Sequence, residues 1–262
     1  MGRDWRDHNL VNPVQNQGSC GSCWAFSTIV SIEGAHAKAT GDLVKLSEQN
    51  LVDCVKGQHD PSNGQSCCNG CRGGLMNDAM QYVIDQQNGG VDTEAAYGYH
   101  GVGGKCGFSS DAVGATISGF QQVSAGDETA LMHAVARHGP VSIGVDASHG
   151  WQLYKKGVMH MKQGFHPFKP SCSSKANKMD HGVAIVGYGT TDDGEDYWIR
   201  PQLLGPALGR AGLHPPRPRP EHLRCRQRRR IPDRRELIVA KTPADNNGPW
   251  LGQLGRLWGA GV

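Results

Sequence analysis

The sequence predicts an α+β protein in two parts, a helical part followed by a sheet part, with a cleft between them. Apolar residues recur at helical spacing before Pro140, whereas after it they alternate as they do in strands. The 262 residues, 37% of them hydrophobic, are enough for one large or two small domains with a core. No apolar run approaches the ~18 residues of a membrane span, so we expect no membrane partner.

Helix start and stop signals divide the first part into four predicted helices. The first opens at the second cysteine of a Cys-x-x-Cys pair, the second is capped by a serine, and the last two end at glycines. They are expected at Cys23 with Ala25, Ile29, Ile32 and His36 on one face, at Ser47 through Leu51 and Val52, from Gly74 to Gln87, and from Asp127 to His138.

The sheet part is predicted from three short stretches of alternating or β-rich sequence. They carry Val141, Ile143 and Val145, then Val183 and Ile185, then Tyr197 to Ile199. A nucleophile in the helical part would need a base from one of these strands. The segment Asp180-His181-Gly182, at the head of the second strand, supplies a candidate.

Cys23 is the candidate nucleophile because it stands where a glycine-rich turn becomes a helix. The positive end of the helix dipole favours a thiolate there, and the backbone amides of Ser22 and Cys23 are available to a developing oxyanion. Taken alone, the Cys20-to-Cys23 spacing fits a redox pair or half of a zinc site equally well. Cys68 and Cys71 are also three apart but precede Gly73-Gly74, which has another role below, so we expect neither metal nor cofactor.

Residues Cys20 to Trp24 fit the signature C-G-[SA]-C-[WY], and Pro13 to Ser27 as a whole resembles papain-like cysteine peptidases, cathepsin L-like members in particular. The resemblance implies a papain-like two-subdomain fold, with a helical left part and an antiparallel β-barrel-like right part. It also implies that Cys23 is the nucleophile and that Gln17 completes the oxyanion hole.

The stretch Met179-Asp180-His181-Gly182-Val183, continuing to Gly187-Tyr188-Gly189, resembles the strand that carries the catalytic histidine of the same family. The chain has twelve histidines, and a histidine is more often a surface residue than a catalyst, so the residue type alone identifies no base. The resemblance singles out His181 as the base. It implies a cysteine-type endopeptidase that works through a Cys23 thiolate, a His181 imidazolium and a thioester intermediate.

The substrate cleft follows from the resemblance by position. Gly73 and Gly74 match a segment whose backbone pairs with an extended substrate. The pocket for the second residue before the cut would be formed by Leu75, Met76, Gly144, Met179 and Asp180. This pocket is mostly apolar, so we expect a preference for a bulky hydrophobic side chain there. A purely structural role in the core stays open for Leu75 and Met179.

Nine cysteines are many for a reducing cytosol, which favours folding in an oxidising compartment. The resemblance pairs Cys20 with Cys71 and Cys54 with Cys106, and gives no role to Cys67 or Cys68. It also implies a lysosomal, vacuolar or extracellular monomer whose partners are peptide and protein substrates and a propeptide or cystatin-like inhibitor. The first residues contain no apolar signal segment, so we expect the signal peptide and propeptide of the family to be missing from this sequence.

The resemblance stops at Ile199. Residues 1–199 carry 14 Lys and Arg against 20 Asp and Glu, whereas residues 200–262 carry 13 against 4 and nine of the fourteen prolines. The family continues with Asn-Ser-Trp-Gly, whose asparagine orients the histidine, but this chain reads Arg200-Pro201-Gln202. We therefore expect a peptidase domain over residues 1–199, incomplete at its C-terminus, followed by an aberrant basic tail.

A shift of reading frame explains this break. Permitted codons for residues 200–209, read with one base dropped, give Val-Arg-Asn-Ser-Trp-Gly-Pro-Arg-Trp-Gly. The rival explanation is a genuine tail whose Arg228-Arg229-Arg230 binds nucleic acid or an acidic surface. The tail lacks interleaved aromatic residues, so we expect no nucleic-acid partner. Because the asparagine is missing, the alternative hypothesis is that the chain is an inactive homologue that acts as a binding protein.

Overall fold

A computed structural model describes residues 2–59, 66–124, 126–147, 157–163, 171–172, 179–200, 221–225 and 237–242. Within them the α-helices are α1 (Cys23–Thr40), α2 (Glu48–Cys54), α3 (Met76–Gln86) and α4 (Glu128–His138), and short 3₁₀ helices span Trp5–His8 and Ser110–Ala112. No helix in this part of the chain has the length and apolar character needed to cross a membrane.

The strands are short and fall mostly in the second half of the chain. They are β1 (Arg3–Asp4), β2 (Lys56–His59), β3 (Ser66–Asn69), β4 (Gly90–Asp92), β5 (Val113–Thr116), β6 (Gly119–Val123), β7 (Val141–Val145), β8 (Gly157–Gln163), β9 (Ser171–Cys172), β10 (His181–Ile185), β11 (Gly187–Thr190), β12 (Asp196–Arg200), β13 (Glu221–Cys225) and β14 (Leu237–Lys241).

Two larger sheets make up the sheet part. One has the order β1-β11-β12-β13-β8-β9 and the other β10-β7-β14-β6, and two-stranded ribbons β2-β3 and β4-β5 accompany the helices. Most pairs are antiparallel, but β13 pairs with β8, and β8 with β9, in parallel. The predicted α+β two-part fold is confirmed, with two sheets rather than one closed barrel among the described strands.

The predicted helices and strands are present, and local chemistry explains their ends. Ser47 accepts a hydrogen bond from Asn50 N–H at 2.9 Å at the start of α2, and Asp127 accepts one from Ala130 N–H at 2.8 Å at the start of α4. Helix α3 begins at Met76 and not at the predicted Gly74, because its N-cap residue Leu75 has a φ of −119° and a ψ of 140°, an extended conformation outside the helical range.

Helix α1 lies between the two parts and belongs to both. Ala25, Ile29 and Ile32 pack in the core of the helical part, whereas Ala37 packs with Val183 and other residues of the sheet part. Its sequence predicts one apolar face, but most of its residues are buried, including Ser27 and Ser31. These serines reach the strands: Ser27 Oγ donates to the carbonyl of Val183, and Ser31 Oγ bonds Ser142 Oγ, both at 2.7 Å.

Two strands, β13 and β14, lie beyond residue 199, where the sequence analysis predicts none. Strand β14 is central in its sheet, with β6 on one side and β7 on the other. Its Ala240 is buried in the core of the helical part. The run Leu237 to Ala240 is apolar enough for a buried strand, a local signal that the arginine-rich surroundings obscure.

Candidate active site

Cys23 is the first residue of α1, and the loop before it is fastened at several points. Cys20 forms a disulfide with Cys71, and Gly21 N–H donates to the Cys71 carbonyl at 2.9 Å. Ser22, which is fully buried, is the N-cap residue. As the first helical residue, Cys23 has an N–H with no acceptor inside the helix, so this group can face a ligand.

His181 opens strand β10 and is held in register with Val145 of β7. Asp180, just before it, is fixed at both ends, since its N–H donates to the Val145 carbonyl at 3.1 Å and its Oδ1 accepts from Ala147 N–H at 2.7 Å. The N–H of Gly182, just after it, donates to Cys23 Sγ at 3.4 Å. The strand that carries the predicted base therefore meets the predicted nucleophile directly.

Burial acts against charge on both groups. It raises the pKa of the Cys23 thiol, which the N–H groups of Gly182 and Trp24 lower in part and the Asp180 carboxylate raises further. Burial also lowers the pKa of His181, as does the positive charge of Arg200, against an upward effect from Asp180. The sequence predicts that the helix dipole favours a thiolate at Cys23. Burial opposes this effect, so the dipole alone does not secure the thiolate. Because each charge is disfavoured singly, a reactive thiolate here needs a protonated His181 beside it.

Arg200 is an unexpected cation at this site. It ends β12, and 5% of its surface is exposed. Replacing it with glutamine is expected to raise the pKa of His181, because the cation no longer opposes a protonated imidazole. An NMR titration of the His181 ring would measure this. The exposed Arg137 on α4 provides the matched control, Arg137→Gln. An unchanged or lowered pKa in Arg200→Gln contradicts the prediction.

Gln17 lies in the loop before the nucleophile. Its side-chain Nε2 donates to the Cys20 carbonyl at 3.1 Å, and its Oε1 is buried with no hydrogen-bond partner among the described residues. A primary amide carries two N–H groups, so one remains after the bond to Cys20. This second N–H is the one that the predicted oxyanion role requires.

Gly73 and Gly74 lie against the residue that follows the nucleophile. A side chain at Gly74 would place its Cβ 2.5 Å from the ring of Trp24, so only glycine lets the two segments approach this closely. The Trp24 ring is 1% exposed, and its Nε1 donates to the Gly70 carbonyl at 3.2 Å. The glycine segment is thereby fixed beside Cys23.

The predicted pocket residues differ in exposure. Leu75 is 37% exposed, whereas Met76 is 4% exposed and belongs to the helical core. Met76 reaches the active site all the same, since its Sδ would lie 3.2 Å from a Cβ built on Gly182. Met179 is partly buried and lies against Gly144, 3.7 Å from a Cβ built there. The pocket assignment of these residues stays a prediction.

Both disulfides implied by the resemblance are present, Cys20–Cys71 and Cys54–Cys106. Cys68, to which the resemblance assigns no role, is disulfide-bonded as well. Among the cysteines whose side chains the structure describes, Cys23 is the free one. In the same part of the chain no three His, Cys, Asp or Glu side chains are grouped so as to hold a metal ion.

Sequence reasoning missed two residues at this site, Arg200 and Tyr99. The Tyr99 hydroxyl bonds both Ser22 Oγ at 2.7 Å and the Gln17 carbonyl at 2.8 Å. No local pattern signals this contact, because it joins positions 77 and 82 residues apart. Arg200 was read as part of a departure from the family rather than as a neighbour of His181.

Comparison with known proteins agrees with this geometry. Residues 2–214 match the family described as "Papain family cysteine protease". The chain is 47% identical over 210 residues to a cathepsin L-like peptidase of Aedes aegypti and 48% identical over 212 residues to one of Caenorhabditis elegans. Each alignment covers 80% of this chain and 56% of the relative, so the chain spans about half the length of these proteins.

A solved structure is similar as well. The digestive procathepsin L2 proteinase from the larval midgut of Tenebrio molitor superposes with a TM-score of 0.69 at 36% sequence identity. The match covers 92% of this chain and 67% of that one.

Proposed function

We propose that this chain, which belongs to the papain family of cysteine proteases, is an endopeptidase that hydrolyses peptide bonds through Cys23 and His181. The observation that carries the proposal is the 3.4 Å hydrogen bond from Gly182 N–H to Cys23 Sγ. It joins the start of α1 to the start of β10, two elements whose first residues, Cys23 and His181, are 158 positions apart in the sequence. A thiol at a helix start beside a histidine is the arrangement that activates sulfur for attack on a carbonyl.

In the first half of the reaction, the Cys23 thiolate attacks the carbonyl carbon of the peptide bond and forms a C–S bond. The carbonyl oxygen becomes an oxyanion, which the Cys23 N–H and the second side-chain N–H of Gln17 stabilise. His181 then gives its proton to the leaving nitrogen as the C–N bond breaks. The products are a free amine and a thioester on Cys23.

In the second half, neutral His181 takes a proton from water as the water oxygen attacks the thioester carbon. The same donors hold the second oxyanion, the C–S bond breaks, and the carboxylic acid leaves. Cys23 returns to a thiolate and His181 to an imidazolium, so no net proton is lost from the pair. Gly74 packs against the ring of Trp24, the residue next to the thiol. Asp180, the residue before His181, is held by its hydrogen bonds to Val145 and Ala147.

We propose peptides with a bulky hydrophobic residue at the second position before the cut as substrates. The support is the contact of Met179 with Gly144 and of Met76 with Gly182, together with the exposed side chain of Leu75 next to Met76. A propeptide that occupies the cleft is a proposed partner, in line with the procathepsin nature of the Tenebrio neighbour. We also propose that the protein is a monomer and that it acts in a lysosomal, vacuolar or extracellular setting.

The test combines hydrolysis with labelling of the thiol. The purified protein is incubated at mildly acidic pH with fluorogenic peptides that carry leucine, alanine or aspartate at the second position before the cut. In parallel, Cys23 is alkylated with iodoacetamide and the modified residue is located by peptide mapping. We expect hydrolysis of the leucine peptide, and we expect one equivalent of label on Cys23 to abolish it.

The result that contradicts the proposal is a folded protein that hydrolyses none of the peptides. Rapid labelling of Cys23 without hydrolysis would instead indicate the inactive binding protein that the missing asparagine suggests. Hydrolysis with aspartate preferred over leucine would leave the endopeptidase and reject the hydrophobic pocket.

We also propose that residues 200–262 are encoded out of frame. The support is the charge jump at residue 200 and a buried arginine beside a catalytic histidine, where the shifted frame has valine. Strands β13 and β14 stand against it, because they complete both sheets. Resequencing the DNA across the codons for residues 196–209 tests it, since a surplus base supports the shift and an unchanged reading removes it.

A further inference from the structure

The serine that precedes the nucleophile does not cap its helix. Serine is among the best N-cap residues, because its hydroxyl accepts a hydrogen bond from an N–H of the first turn. Ser47 does this in α2, where it accepts from Asn50 N–H at 2.9 Å while it donates to the Tyr97 carbonyl at 2.5 Å. Ser22 is the N-cap of α1, yet its side chain makes no capping hydrogen bond.

The Ser22 hydroxyl is held instead by Tyr99. The two oxygens are 2.7 Å apart, and the Tyr99 hydroxyl lies 2.8 Å from the Gln17 carbonyl. A carbonyl only accepts, so the single proton of Tyr99 goes to Gln17, and the proton between the two hydroxyls comes from Ser22. Tyr99 therefore fixes two points of the loop at once, one in the proposed oxyanion residue and one next to the nucleophile.

The Tyr99 ring is itself well anchored. Its centroid lies 4.9 Å from that of Phe26 in an edge-to-face contact with an interplanar angle of 75°. Its backbone N–H donates to the Glu94 carboxylate at 2.9 Å. Phe26 belongs to the first turn of α1. The Tyr99 ring therefore packs against the same helix whose N-cap residue, Ser22, bonds the Tyr99 hydroxyl.

We propose that Tyr99 is a positioning residue for the peptidase reaction, which keeps the Ser22 hydroxyl away from the first turn of α1 and the Gln17 loop in place. With Ser22 held aside, the N–H of Trp24, which is one of those that an N-cap hydroxyl accepts from, stays available to the Cys23 sulfur. This inference rests on the proposed function, because it assigns a role in the same site.

Removing only the Tyr99 oxygen separates this role from packing. In Tyr99→Phe the ring keeps its contact with Phe26, the Gln17 carbonyl loses its donor, and the Ser22 hydroxyl is free to turn and cap the helix. We expect kcat and the rate of Cys23 alkylation to fall about tenfold, less than the loss when an oxyanion donor itself is removed. We expect KM to change less than twofold, because the substrate cleft is untouched.

Tyr97 provides the matched control. It lies two residues away and is also partly buried, and its hydroxyl donates to Asp53 Oδ2 at 2.9 Å, away from the nucleophile loop. Tyr97→Phe is expected to keep the kcat and the alkylation rate of the parent. If Tyr99→Phe and Tyr97→Phe behave alike on both measures, the inference is overturned.

A second pair of variants covers loss of folding, since Tyr99→Phe leaves the buried Ser22 hydroxyl without its acceptor. Comparing Ser22→Ala with Ser22→Ala/Tyr99→Phe measures the effect of Tyr99 on Gln17 alone. We expect the Tyr99→Phe change to lower the alkylation rate less in Ser22→Ala than in the parent, because Ser22→Ala has no hydroxyl that could cap the helix. An equal or larger loss of rate in Ser22→Ala overturns the capping argument. Hydrolysis by the parent tests the proposed function, whereas ratios of alkylation rates test this inference, so the two failures are distinguishable.

Discussion

Replacing His181 with alanine is expected to lower kcat/KM for a peptide substrate by about 10³-fold to 10⁴-fold. Two losses combine in this variant. The leaving amine has no proton donor, and the buried thiol of Cys23, whose pKa burial already raises, has no imidazolium to stabilise its thiolate. Initial rates of hydrolysis of a fluorogenic peptide, over a range of substrate concentrations, measure kcat and KM separately.

A matched control for this variant is His133→Ala. His133 is exposed on α4, away from the nucleophile, so its loss tests the removal of any histidine. We expect this variant to retain the parent activity. The pH dependence adds a second readout, because alkylation of Cys23 at pH 5 should slow strongly in His181→Ala alone. A loss smaller than tenfold would mean that another group acts as the base.

Glu48 is expected to make the protein less stable as the pH rises from about 4.5 to 7. Burial raises the pKa of this carboxyl from 4.5 to about 7, and the neighbouring Glu33 raises it further, against a lowering by Lys45. The folded state therefore holds a proton that the unfolded state has released, and stability falls with pH across that interval. At about 1.4 kcal/mol per pKa unit, the loss is ~3 kcal/mol.

The geometry explains why one cation does not keep both carboxylates charged. Lys45 Nζ lies 2.5 Å from Glu48 Oε1 and 3.1 Å from Glu33 Oε1, and both carboxyl groups are 1% exposed. Glu33 also accepts the N–H of Leu46 at 2.9 Å, whereas Glu48 Oε2 is buried with no hydrogen-bond partner among the described residues. Glu48 is accordingly the better candidate for the protonated member.

Urea unfolding of the parent and of Glu48→Gln between pH 4.5 and 7 measures the effect. The lowered pKa of His181 acts in the opposite direction over part of this interval, so the difference between the two proteins is the informative quantity. We expect that difference to shrink or reverse by ~3 kcal/mol as the pH rises. Asp85→Asn, which removes an exposed carboxylate on α3, serves as the control. Parallel curves for the parent and Glu48→Gln would reject the prediction.

The sequence predicted the elements best where one local signal decides. Ser47 and Asp127 mark helix starts by their side chains, and Gly139 marks a helix end, so the bounds of α2 and α4 follow closely. The start of α3 was misplaced by two residues because no local signal shows that Leu75 is extended and not helical. Strand β14 was missed because arginine-rich surroundings obscure its short apolar run, and its pairing with β6 and β7, more than 90 residues earlier, leaves no local mark.

The same distinction holds for the site. Cys23 and His181 were predicted because each lies in a local motif, and in the folded chain Gly182, next to His181, bonds the thiol. The environment of the pair was not predictable. Burial that opposes the charge on both groups, the cation of Arg200 and the hydroxyl of Tyr99 all come from segments that meet only in the folded molecule.

The position of α1 at the boundary of the two parts has a consequence for biosynthesis. Most of the apolar partners of its first half lie between residues 20 and 117, so they leave the ribosome early. His181 is translated 158 residues after Cys23, the difference between 181 and 23. A nascent chain can thus bury the helix of the nucleophile long before its base exists. The proposed pair of Cys23 and His181 therefore forms only after most of the chain has been translated.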